Sequence, residues 1–150
     1  MIGDHRDLHT AYRRQRQMCI RDRSYRYIQG AVTQRSVTNL VSFFGSSDGG
    51  YYFKHEFKTT FWENIEYYLK YSPISYVKNI KTPLLIIHSE NDLRAPIEQA
   101  EQLFVALKML KRKVRFARFP EESHGLSRIG TPSRRIKRIE LIVDWFNKFL

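Results

Sequence analysis

Three residues in this chain have the types, and stand in the order, that acyl-transfer chemistry requires: Ser47, Asp92 and His124. A serine hydroxyl attacks a carbonyl when a neighbouring imidazole takes its proton. The imidazole does so when a carboxylate fixes its tautomer and stabilises its protonated form. Ser47 lies in "FFGSSDGGYYF" (43–53), which spells G-x-S-x-G through Gly45, Ser47 and Gly49. On a sharp strand-to-helix turn that spelling is a nucleophile elbow. Asp92 lies in "HSENDLRAP" (88–96) and His124 in "PEESHGLS" (120–127). Taken singly, Asp92 reads as a turn cap and His124 as a structural histidine. Gly125 follows His124 and lets the backbone turn where a side chain would obstruct it.

The elements around these loops turn two weak signals into a stronger one. "IQGAVT" (28–33) is a short apolar run fit for a buried strand. The run opened by Thr82-Pro83, with its strand at 83–88, is apolar on both faces, as parallel strands covered by helices are. "KVRFARFP" (113–120) reads as a third strand. Between them, "FWENIEYYLKY" (61–71) and "IEQAEQLFVALKML" (97–110) have helical periodicity, the second with Ala100, Leu103, Phe104, Leu107 and Leu110 on one face. A last helix begins near Thr131-Pro132, with Ile136, Ile139, Ile142, Val143, Phe146 and Phe149 as its expected buried stripe. Alternating strands and helices imply an α/β fold, a mostly parallel sheet with right-handed crossovers and flanking helices. Sites in such sheets form outside the carboxyl ends of the strands, where Asp92 and His124 both fall. They are 32 residues apart, one helix and one strand, and adjacent parallel strands lie about 5 Å apart, close enough for their loops to touch.

Ser47 fits this scheme poorly. It precedes Asp92 by only 45 residues. A helix, a strand and another helix must separate a nucleophile elbow from the acid-bearing strand, and the interval is one helix and one strand too short. The residues after Ser47 are Asp48-Gly49-Gly50, a poor helix start because each glycine costs about 1 kcal/mol relative to alanine. Ser24 and Ser36 are weaker candidates still. The expectation is a turn at Ser47 and a reacting serine elsewhere.

From about Tyr27 to Leu150 the chain resembles the C-terminal part of the catalytic domain of the prolyl oligopeptidase family, in its acylaminoacyl-peptidase and dipeptidyl-aminopeptidase-like branch. The likeness rests on "AVTQRSVTNL" (31–40), "WEN" (62–64), "YSPISYVKNIKTPLLIIHSENDLRAPIEQAEQLFVALK" (71–108) and "RFPEESHGLSRIGTPSRRIKRIELIVDWF" (118–146). It implies an α/β-hydrolase fold and Ser–His–Asp peptidase chemistry on short peptides. It places the triad acid on Asp92 and the triad histidine on His124. It sets the family serine before the strand matched by "IQGAVT", and so implies a piece incomplete on its N-terminal side and inactive alone. Ala95 stands where family members often carry cysteine. An esterase on the same fold remains the alternative enzyme reading.

Composition bounds the remaining classes. One hundred and fifty residues with 42% hydrophobic content suit one domain, here residues 26–150. Residues 1–25, with "YRRQRQMCIRDR", lack periodicity and read as a disordered or artefactual arm. His5 and His9 beside Asp4 and Asp7 form too small a ligand set for a metal site. No cofactor is expected. The net charge of +11 raises a basic module for nucleic acid or acidic partners as the non-enzyme alternative. Its bases cluster between Lys108 and Arg138 at a strand and helix ends, the pattern of a solvated face, so no nucleic acid is expected. A single cysteine, Cys19, with no signal-like or membrane-length apolar run, points to a reducing, cytoplasmic setting and no membrane. An oligomer of the full-length protein stays open.

Overall fold

The computed structural model describes residues 28–149. Three parallel strands form the sheet in the order β1-β2-β3: β1 (Ala31–Gln34), β2 (Leu84–Ser89) and β3 (Val114–Phe119). Val32 lies opposite Leu85, and Leu85 opposite Arg115. Among the described residues β1 pairs only with β2.

Between β1 and β2 run α1 (Leu40–Ser46), a 3₁₀ turn (Gly50–Tyr52), α2 (Phe53–Phe57), α3 (Ile65–Tyr71) and a second 3₁₀ stretch (Pro73–Asn79). The helix α4 (Glu98–Met109) links β2 to β3, and α5 (Leu126–Ile129) and α6 (Pro132–Phe149) follow β3. Asn39 caps α1, its side chain accepting from the Val41 and Ser42 amides.

Strand alternation sends the two halves of β2 to opposite layers. Leu84 and Ile86 pack with Ala100, Leu103 and Leu107 of α4. Leu85 and Ile87 pack with Leu126 of α5 and with Leu141 and Trp145 of α6. Every residue of β2 is therefore buried, as its two-sided apolar run requires. A third cluster of Val37, Leu40, Phe43, Phe53, Tyr68 and Ala95 seats the α1–α3 segment against the turn that follows β2. Buried Gln99 joins that segment to α4: its Oε1 accepts from the amides of Thr38 and Asn39, each at 2.8 Å.

Three expectations need correction. The helix expected over 61–71 begins only at Ile65, because Asn64 caps it by accepting from the Tyr67 amide, while Glu63 braces a preceding turn through the Thr60 amide and hydroxyl. Helix α2 has no counterpart in the sequence reading. On α6 the buried residues are Leu141 and Trp145, with Ile142 and Phe149 packed against them. Ile136, Ile139 and Val143 instead face solvent at 59%, 53% and 49% exposure. The helix carries two apolar stripes, and the wider one, holding the indole, faces the sheet.

Candidate active site

Asp92 sits in the turn that leaves β2, and two main-chain bonds tie this turn to the one leaving β3. The Glu90 amide donates to the Phe119 carbonyl and the Asn91 amide to the Glu122 carbonyl, each at 3.0 Å. Asp92 is 2% exposed. Its Oδ1 accepts the Ala95 amide at 2.8 Å, closing the turn. The remaining capacity of the carboxylate points at the neighbouring loop.

There His124 meets it. The ring Nδ1 lies 2.8 Å from Oδ2 and 3.0 Å from Oδ1 of Asp92. A carboxylate only accepts, so Nδ1 carries the proton and Nε2 of the neutral ring has a free lone pair. Among the described residues nothing hydrogen-bonds Nε2, and the side chain is 38% exposed. An imidazole so held can take a proton at Nε2 from a group brought to it, with the carboxylate steadying the resulting cation. Gly125 does not carry the conformational role expected of it. Its φ is −80°, which any residue adopts, but a Cβ there would stand 2.6 Å from Cγ1 of Ile129. Ile129 is 79% exposed, so its side chain can turn aside to admit one.

Two further residues belong to this arrangement and were not singled out from the sequence. His88, fully buried on β2, donates from Nε2 to the Ala95 carbonyl at 2.6 Å, and the same nitrogen lies 3.7 Å from Oδ2 of Asp92. Burial lowers its pKa, against the opposing pull of the Ala95 carbonyl and the Asp92 charge, so the ring is neutral and backs the Asp92 turn. Arg35, the residue after β1, donates from Nη1 to the His124 carbonyl at 3.0 Å. A histidine inside an apolar strand reads as core, and Arg35 is 89 residues from its partner, so no local signal marks either.

Ser47 takes no part in this arrangement. It lies at the C-terminal end of α1, with extended backbone angles (φ −83°, ψ 146°), and its amide donates to the Phe43 carbonyl. Its hydroxyl donates to the Arg94 carbonyl at 2.7 Å and accepts the Gly49 amide at 3.1 Å. The segment doubles back so tightly that a Cβ on Gly50 would lie 2.3 Å from the Phe43 carbonyl oxygen. The G-x-S-x-G spelling is thus a helix-to-3₁₀ turn, with α2 following it. An Asp48–Arg94 ion pair at 2.8 Å fastens it beside the Asp92 turn. Ser36 is buried against the Thr33 hydroxyl at 2.7 Å. Ser24, Cys19, His5 and His9 lie outside the described residues, as does the arm 1–25.

Among the described residues, no group of three or more His, Cys, Asp or Glu could hold a metal ion. No described helix is long and apolar enough to cross a membrane. Among the bases of the Lys108–Arg138 region, Arg118 is paired with Glu90 and Glu101, and Arg134 with exposed Glu121 and buried Glu122.

Parallel strands covered on both faces, with an aspartate and a histidine paired beyond their carboxyl ends, define part of an α/β-hydrolase fold. The chain belongs to the prolyl oligopeptidase family, whose model matches residues 17–150. It is 49% identical over 123 residues to the uncharacterized peptidase YuxL of Bacillus subtilis, covering 81% of this chain and 19% of that protein. It superposes on an acylaminoacyl peptidase of Pyrococcus horikoshii with a TM-score of 0.81 and 30% identity, covering 91% of this chain and 22% of the other. An acylaminoacyl peptidase in complex with Z-Gly-Gly-Phe-chloromethyl ketone is similar at a TM-score of 0.79 and 30% identity, covering 89% of this chain and 22% of that one. The chain therefore spans about a fifth of the length of these relatives.

Proposed function

We propose that residues 26–150 form the acid-and-base part of a serine peptidase acting on short or N-acylated peptides. Asp92 is its acid and His124 its general base. The observation that carries this reading is the Asp92–His124 pair at 2.8 Å, with Nε2 left free. His124 would take the serine proton at Nε2 as the hydroxyl attacks the peptide carbonyl, and return it to the leaving amine. Ser47 and Ser36 are held by other partners, and this reading takes its serine from before β1, where the family likeness sets it. By itself the chain forms no acyl-enzyme. The relatives support peptide rather than ester substrates: one acylaminoacyl peptidase was solved with a peptide chloromethyl ketone. A soluble cytoplasmic setting, with no nucleic-acid partner, belongs to the same reading.

The test is a hybrid in which residues 28–149 replace the matching segment of the Pyrococcus horikoshii acylaminoacyl peptidase. The hybrid is expected to hydrolyse an acyl-peptide nitroanilide in preference to a simple nitrophenyl ester, and His124→Ala and Asp92→Asn to abolish that turnover. Turnover that survives His124→Ala in a folded hybrid would refute the assignment, and a preference for the ester would favour an esterase. A burst of product from the 150-residue chain alone would overturn its inactivity.

A further inference from the structure

We infer that Arg35 is a positioning residue for His124: its guanidinium grips the histidine's own carbonyl and holds the ring where Nδ1 faces Asp92. This rests on the reading of Asp92 and His124 given above. Arg35 directly follows β1, its amide donating to the Ile87 carbonyl at 3.1 Å, so its backbone is tied to the sheet. Its φ is +54°, a left-handed conformation uncommon for a non-glycine residue, which turns the chain out of the strand. From that backbone the side chain reaches across the end of the sheet, and Nη1 meets the His124 carbonyl at 3.0 Å.

The electrostatic setting makes this placement informative. Burial lowers the pKa of Arg35, the charge of Asp92 raises it, and Arg128 and Arg138 oppose it. Among the described residues Arg35 makes no ion pair. A half-buried guanidinium facing two like charges would swing to solvent unless something held it. What holds it is one main-chain oxygen, that of the residue whose ring orientation the chemistry depends on, and the field of the carboxylate beyond. The charged and titratable groups around the pair are Asp92 and His88 from β2 and its turn, Arg35 from β1, Arg128 from α5 and Arg138 from α6. Anchoring a carbonyl restrains the backbone from which χ1 of His124 is set, so the bond to Arg35 acts on the direction of the ring.

The experiment is proton and nitrogen NMR of the 150-residue chain, reading the Nδ1-bound proton of His124, assigned by its absence in His124→Gln. The wild-type chain is expected to show that proton as a downfield, hydrogen-bonded resonance. Arg35→Met is expected to lose it while the backbone amide spectrum and Tm stay close to wild type. Arg35→Lys, which keeps the charge but ends one bond short of Nη1, is expected to lose it as well. Full retention of the resonance in a folded Arg35→Met or Arg35→Lys protein would overturn the inference. If Arg35→Met unfolds, Arg35→Lys decides on the same criterion. Absence of the resonance from the wild-type chain would instead count against the Asp92–His124 pair itself.

Discussion

Two tight turns lie side by side in this molecule, and only one pairs its polar side chain with a histidine. The turn after β2 carries Asp92 and the turn after α1 carries Ser47, and the Asp48–Arg94 ion pair clips them together. Both use a small polar side chain to satisfy main-chain amides. In the Ser47 turn the hydroxyl's one proton goes to the Arg94 carbonyl and one of its lone pairs accepts the Gly49 amide. In the Asp92 turn one oxygen closes the turn and capacity is left over, directed at His124. A residue becomes available for reaction when its scaffold needs less of it than it can give.

That contrast is broken most severely at Asp92. Asp92→Ala strands the buried Ala95 amide and removes the partner of His124, so it is expected to destabilise the fold by about 2–4 kcal/mol, read from the urea midpoint. A loss under about 0.5 kcal/mol would mean that the turn does not depend on the carboxylate.

His88 gives a smaller and pH-dependent effect. Its pKa is lowered in the folded protein, chiefly by burial, from an ordinary value of 6.5. As pH falls below about 6.5 the unfolded chain takes up a proton that the folded chain refuses, so stability declines with acid and is restored as pH rises. The decline should approach 1.4 kcal/mol per pH unit at most in the window between the two values, on the order of one proton's linkage. His88→Gln should flatten the pH profile of the unfolding free energy there. An unchanged slope would show that other groups set it.

Smallest is Ser47→Ala, which removes two hydrogen bonds of a part-exposed turn and is expected to cost about 1 kcal/mol. A loss as large as that at Asp92 would erase the distinction between the two turns.

Much of this was legible before any coordinates. The two-sided apolar run of β2 announced a buried parallel strand, and that placed Asp92 and His124 at neighbouring strand ends. The spacing from Ser47 to Asp92 argued against an elbow, and the turn at Ser47 agrees. Other features were hidden for physical reasons. Helix α6 spans 18 residues and repeats apolar residues on two faces, so periodicity alone could not say that Trp145 rather than Ile139 meets the sheet. Gly125 looked like a turn residue because sequence does not reveal that its φ is an ordinary −80°. The part played by Arg35 depends on a contact across 89 residues, which only the folded sheet creates.

The most direct test of the contrast is a ratio of two rates. In the hybrid peptidase carrying residues 28–149, kcat/KM for an acyl-peptide nitroanilide is measured for Ser47→Ala and His124→Ala side by side. Ser47→Ala should stay within about threefold of the parent, and His124→Ala should fall by about 10³-fold or more. Loss of activity in Ser47→Ala with retention in His124→Ala, both variants being folded, would contradict the account.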